Sequence, residues 1–329
     1  MIAKLRAVLT AVAVLTVAAF VVLTLKDQDW ALLATLTEPR ALLLIGAAIV
    51  TNAVGLWFGM LSWRALVVGF GSRAGVWEGA RIFFVGFLAK FVPGRVWTLL
   101  ANMRMGRTVG ITPAQMAALY VLNIAIASLT GLMTGLLAAP SVFGGNSVWM
   151  ALAALPVVVF FARPGLAHRL TGVAARLLRR PEPVTRAPDG SVRRAITMQT
   201  LSWLMSSTHV WFLAIAMGAS PLSSLLACVG AFAGAAVIGY LMVLVPDGLG
   251  VREAILLAAL TGVLPLPAAG SVVLASRLLC TVTEIAVAGT ALLVAHLRIR
   301  PDGNQGDEPR WRISTSQSSS TTTPPTSAA

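Results

Sequence analysis

"VWEGARIFFVGFLAKFVPGRVWTLL", residues 76–100, decides how this chain is built. Most of it is apolar enough for a lipid bilayer. Its middle is not: Lys90, the Pro93-Gly94 pair and Arg95 stand together, followed by Trp97. A single crossing needs about 20 uninterrupted helical residues. Proline removes a backbone donor and clashes with the preceding turn, and glycine loosens what remains. Residues 76–100 therefore predict a re-entrant hairpin or a tight pair of short helices. Broken backbone at membrane depth is tolerated only where protein or a wet cavity surrounds it.

The rest of the chain sets that stretch in a membrane. Of 329 residues, 57% are hydrophobic and only 11% charged, and the mean hydropathy is +0.84. Soluble domains carry roughly a quarter charged residues. The net charge of +13 reads as topology and not as nucleic-acid binding, because Lys and Arg collect in cytoplasmic loops. The two cysteines, Cys228 and Cys280, lie in apolar spans and imply no disulfide framework.

Apolar spans are expected at 7–25, 41–63, 114–138, 148–162, 195–217, 221–245 and 271–296, with shorter or broken segments at 76–100 and 254–270. Lys4 and Arg6 precede the first span, which reads as a retained helix and not a signal peptide, since no small-x-small cleavage site follows it. The 163–194 loop holds Arg163, Arg169, Arg176, Arg179, Arg180, Arg186, Arg193 and Arg194, and is expected in the cytoplasm. Links 139–147 and 218–220 have no Lys or Arg and suit the far side. Arg64 and Arg73 before the 76–100 segment, and Arg104 and Arg107 after it, put both its ends on one side. The expected fold is all-α: a polytopic membrane bundle of about eight crossings plus one or two re-entrant or broken helices, in which two matching halves could form an inverted repeat. The domain spans 1–298, and the polar 299–329 tail is expected to be disordered and cytoplasmic, like the N-terminus.

A second break resembles the first. "VPDGLGVRE", residues 245–253, ends an apolar span at Pro246, opens the backbone at Gly248 and Gly250, and places Arg252 beside Glu253. Interrupted helices at corresponding places in two halves point to a transporter binding site. Freed N–H groups at a helix start attract anions, and guanidinium suits phosphate. Lys90, Pro93, Gly94, Arg95, Pro246, Gly248, Gly250, Arg252 and Glu253 are the candidate substrate-binding residues. The competing reading is an ordinary helix end with a snorkelling cation.

Arg277 and Glu284 sit within the last span. Seven residues put them about 10 Å apart along one helix face, too far for direct pairing. They are candidates for charge balance or proton carriage, against a structural ion pair with another helix. Glu78 and Arg81 suit an intrahelical pair. His209 reads as a packed core residue. Gly131/Gly135 and Gly230/Gly234 have the small-xxx-small spacing of close helix packing. The sequence holds no paired carboxylates, Cys/His cluster, Walker loop or Ser/His/Asp set, so neither an enzyme nor a cofactor is expected.

Together the two motifs resemble the lysylphosphatidylglycerol synthetase-like transmembrane family, the flippase-like proteins similar to the membrane half of the bacterial multiple-peptide-resistance protein. Lys90, Phe91, Val92, Pro93, Gly94, Arg95, Val96 and Trp97 match the first family pattern; Pro246, Gly248, Leu249, Gly250, Arg252 and Glu253 match the second, from which Asp247 departs by adding an acid. The resemblance covers about residues 5–298. It implies translocation of a phosphate-bearing lipid, an anionic phospholipid among them, across the cell membrane. The synthetase domain of bifunctional relatives has no counterpart, so aminoacylation is not expected. The alternative is an accessory or scaffold role, with a cell-envelope glycosyltransferase or lipid synthase as partner and the 163–194 loop as the working surface.

Overall fold

The computed structural model describes residues 38–89, 96–139, 148–163, 165, 187–241, 248 and 250–299. Among these the chain is all-helical, with nine α-helices and no strand. They are α1 (Pro39–Gly69), α2 (Val76–Leu88), α3 (Val96–Gly106), α4 (Pro113–Gly135, continued by a 3₁₀ turn at Leu136–Ala138), α5 (Val148–Ala162), α6 (Asp189–Ala216), α7 (Pro221–Leu241), α8 (Val251–Leu260) and α9 (Leu266–Arg298).

Four stretches are long and apolar enough to cross a membrane: α1, α4 with its 3₁₀ turn, α7 and α9. They do not account for all of the eight or so crossings expected. The expected 7–25 span lies outside the described residues. Helix α5 has only 15 residues, with Pro156 inside it. Helix α6 has length enough at 28 residues, but Gln199, Ser202, Ser206, Ser207 and His209 dilute its apolar character. It also starts at Asp189, six residues before the span expected from hydropathy, because extended Pro188 and first-turn Asp189 make a helix start among polar residues.

The 76–100 segment is a pair of short helices. Helix α2 has 13 residues and α3 has 11, about 20 and 17 Å, against a bilayer core of about 30 Å. The two pack together, and Gly86 leaves room on α2 for the Asn102 amide of α3. Local chemistry fixes the starts. Glu78 turns back to accept the Gly75 N–H at 2.8 Å. At α4, Thr112 and Gln115 cap one another reciprocally.

Two antiparallel seams organise the bundle. The more extensive joins α1 to α6. Ser62 Oγ donates to Ala195 O at 2.8 Å, Ser202 Oγ to Gly55 O at 2.7 Å, and Ser206 Oγ to Asn52 Oδ1 at 2.6 Å. Ser62/Ala195 and Gly55/Ser202 are seven residues apart on each helix, so one stripe of α1 faces one stripe of α6. Gly55, Gly59 and Gly69 leave the space that Ser206, Ser202 and Ser191 occupy. In lipid, apolar area does not draw helices together; small residues and interhelical hydrogen bonds do.

The second seam joins α4 to α7. Gly131 faces Val237 and Trp203, Gly135 faces Gly234, and Gly230 faces the backbone of Ala138. The two small-xxx-small spacings thus meet each other. Trp203 Nε1 adds a 3.0 Å bond to Ala127 O. Elsewhere α2 packs on α9, α8 on α7 and α9, and both α4 and α9 on the α1–α6 pair.

Candidate functional site

Helix α7 ends at Leu241 and α8 starts at Val251. Between them, Gly248 has φ +66° and Gly250 φ +80°, conformations that disfavour any side chain. Gly248 is also pressed on α7, where an added Cβ would lie 2.5 Å from Gly239 Cα. The break therefore folds back against its own preceding helix. At its exit the Gly250 N–H donates to Glu253 Oε2 at 2.8 Å, the device that Glu78 uses at α2.

The other carboxylate oxygen, Glu253 Oε1, lies 3.3 Å from Arg277 Nη1 on α9. This is a charge contact without hydrogen-bond alignment. Glu253 is 3% exposed and Arg252 only 7%. The Arg252 guanidinium lies over the Phe232 ring of α7 at 5.2 Å, a cation–π contact that strengthens away from water. Such burial is costly unless the charges are partnered or face a cavity.

Phe232 continues the contact inward. Its ring meets the His209 imidazole edge-to-face at 4.6 Å. His209 is fully buried; its Nδ1 faces Ser206 O and its Nε2 lies 2.8 Å from Ser276 Oγ and 3.5 Å from Cys280 Sγ. Ser276 precedes Arg277. A closed ring therefore runs from Arg252 through Phe232, His209, Ser276, Arg277 and Glu253 back to Arg252, and it ties α6, α7, α8 and α9 together.

Glu284 is buried on α9. It lies one turn beyond Cys280 and one turn before Ala288, which packs with Ala80 and Phe84 of α2. Glu284 therefore stands between the ring and the helix that leads into the first break. Lys90, Pro93, Gly94 and Arg95 of that break lie outside the described residues, as does Pro246.

The structure thus brings together Gly248, Gly250, Arg252, Glu253 and Arg277, with Glu284 about 10 Å further along α9. Sequence reasoning passed over Phe232, and it treated His209 as packing alone. The available signal was the spacing of Ser276 and Cys280, one turn apart on the helix that carries Arg277. Among the described residues no group of His, Cys, Asp or Glu is arranged to hold a metal.

The family described as lysylphosphatidylglycerol synthase TM region matches residues 8–288 of this chain. None of the curated proteins matches it.

Proposed function

The chain belongs to the family of lysylphosphatidylglycerol synthase TM regions, and from that premise we propose that it is a flippase or transporter of a phosphate-bearing lipid across the cell membrane. Lys90, Arg95 and Arg252 engage the phosphate. The breaks at Pro93-Gly94 and Pro246/Gly248/Gly250 supply backbone donors and hinges. Glu253 fixes the turn from which Arg252 projects and is itself held by Arg277. Glu284 balances charge or carries a proton. The transporting unit is the 1–298 domain, with the 163–194 loop and the 299–329 tail on the cytoplasmic side.

The observation that carries this reading is the correspondence of the two halves. Pro93 and Pro246 are 153 residues apart, and so are the first residues of α4 and α9, Pro113 and Leu266. Pairing α1–α4 with α6–α9 in order turns each packing into another observed one: α2 on α9 becomes α7 on α4, α2 on α3 becomes α7 on α8, α3 on α4 becomes α8 on α9, and α1 on α9 becomes α6 on α4. The equivalent helices α1 and α6 run antiparallel, which supports a pseudo-two-fold axis in the membrane plane and hence an inverted repeat, with substrate held where the broken helices converge. The axis would cross the α1–α6 seam at Asn52 and Ser206, which hydrogen-bond.

The test is transport by reconstituted protein, read from the accessibility of a labelled phospholipid headgroup on the far leaflet. Arg95→Ala and Arg252→Ala are expected to abolish it while membrane insertion stays normal. Full transport by both variants overturns the assignment.

A further inference from the structure

Away from the charged ring, α5 and α6 leave an open groove of about 310 Å³, lined by Val157, Val158, Phe161, Ile196, Thr197, Thr200 and Leu201. Its walls are apolar in effect, because the Thr197 and Thr200 hydroxyls are turned onto their own helix, donating to Arg193 O and Ile196 O. Val158 and Phe161 are 57% and 43% exposed, so among the described residues the groove is open on its α5 side. On α6 the lining residues follow Arg193 at intervals of three, four, seven and eight, so Arg193 heads the same helical stripe. Arg193 Nε donates to Phe161 O at 3.4 Å, which sets its guanidinium at the groove mouth. Arg163 is exposed just past the end of α5.

We propose that this groove is a binding site for an anionic phospholipid: one acyl chain lies between α5 and α6, and the phosphate meets the guanidiniums of Arg193 and Arg163. The chemistry on the page favours that occupant over another apolar helix. The apolar trough runs eight residues along α6 from Arg193 to Leu201, about 12 Å, which suits the upper part of an acyl chain. It opens at a pair of exposed cations where a headgroup phosphate would sit, and juxtamembrane arginines attract anionic lipid. The site is separate from the Arg252 ring. His209, which touches that ring, is sixteen residues from Arg193 on α6, about 24 Å along the axis. The assignment stands whether or not the chain transports lipid.

The experiment is native mass spectrometry of the full chain in mild detergent, with phosphatidylglycerol or phosphatidylcholine of matched acyl chains added. Wild type is expected to retain one phosphatidylglycerol at concentrations where phosphatidylcholine is lost. Arg163→Gln combined with Arg193→Gln lowers phosphatidylglycerol retention about tenfold or more. Val158→Trp, which fills the groove at an exposed position, lowers retention of both lipids. Arg40→Gln, at an exposed cation at the start of α1, leaves retention unchanged, so a general loss of positive charge and a failed groove give different patterns. Equal retention of the two lipids by wild type, normal phosphatidylglycerol retention by either groove variant, or loss of retention in Arg40→Gln overturns the proposal.

Discussion

The α4–α7 seam and the α8–α9 contact both bury residues that a lipid-exposed helix would not choose, and they do so for opposite reasons. At the first, Gly135 and Gly234 have no side chains at all, and the backbones close to near contact. At the second, Glu253 and Arg277 have long charged side chains, which hold α8 and α9 at a distance set by an ion pair. One interface is backbone packing with no room for a side chain at Gly135 or Gly230. The other is electrostatic and fails when one partner goes missing. Small residues in this bundle therefore mark where helices must touch, and charges mark where something must be held apart.

The most severe way to break the contrast is Gly230→Val. The added Cβ would overlap the Ala138 backbone, and rigid backbone cannot move aside as a side chain can. No monodisperse folded protein is expected by size-exclusion chromatography. Next is Glu253→Ala, which leaves Arg277 without the 3.3 Å carboxylate and the Gly250 N–H without its acceptor. Removing one partner of a buried pair costs about 3–5 kcal/mol, measurable as denaturant or thermal stability in detergent. Adding Arg277→Met should return much of that loss. A double variant as unstable as the two losses combined would mean that the pair is not the binding element.

Gly248→Ala tests where the two kinds of contact meet, since this glycine is both positive in φ and pressed on Gly239. A side chain there costs about 1–3 kcal/mol in backbone strain. The stability loss should exceed that of Gly250→Ala, whose Cβ would meet open space. The smallest expected effect is Ser202→Ala on α6. Its hydroxyl bond to Gly55 O is worth about 0.6–1.7 kcal/mol on the scale of interhelical hydrogen bonds in membranes. A loss above about 3 kcal/mol would place the α1–α6 seam with the charged contacts instead.

The sequence made the breaks legible because proline, glycine and arginine stand out against leucine and alanine. The arginines flanking 76–100, Arg73 and Arg104, argued for a re-entrant hairpin or a pair of short helices, and two short helices are there. The paired small-xxx-small spacings announced close packing, though not that they pack on one another. The α1–α6 seam was illegible. Ser202 and Ser206 look like dilution of an apolar span until Gly55 and Asn52, about 150 residues earlier, are placed opposite them. The Arg277–Glu253 contact was hidden for the same reason. Spacing along α9 sets Glu284 too far from Arg277 for direct pairing, but it could not name a residue on another helix. Helix α6 starts earlier than hydropathy suggests because hydropathy ignores the extended Pro188 and first-turn Asp189 that begin it.

The shortness of α8 has one more consequence. Its far end opens into the exposed turn at Thr261 and Gly262, and Arg252 lies nine residues back, about 13 Å below that turn. With α8 upright and that turn at the surface of a hydrocarbon layer about 30 Å thick, Arg252 would lie close to half the electrical distance across it. An anion held there, as proposed above for the lipid phosphate, would have traversed a large share of the transmembrane field. Its occupancy should respond to voltage by about 1 kcal/mol per 100 mV, near half the full-crossing value. Depolarising the membrane would then shift binding without any change in concentration.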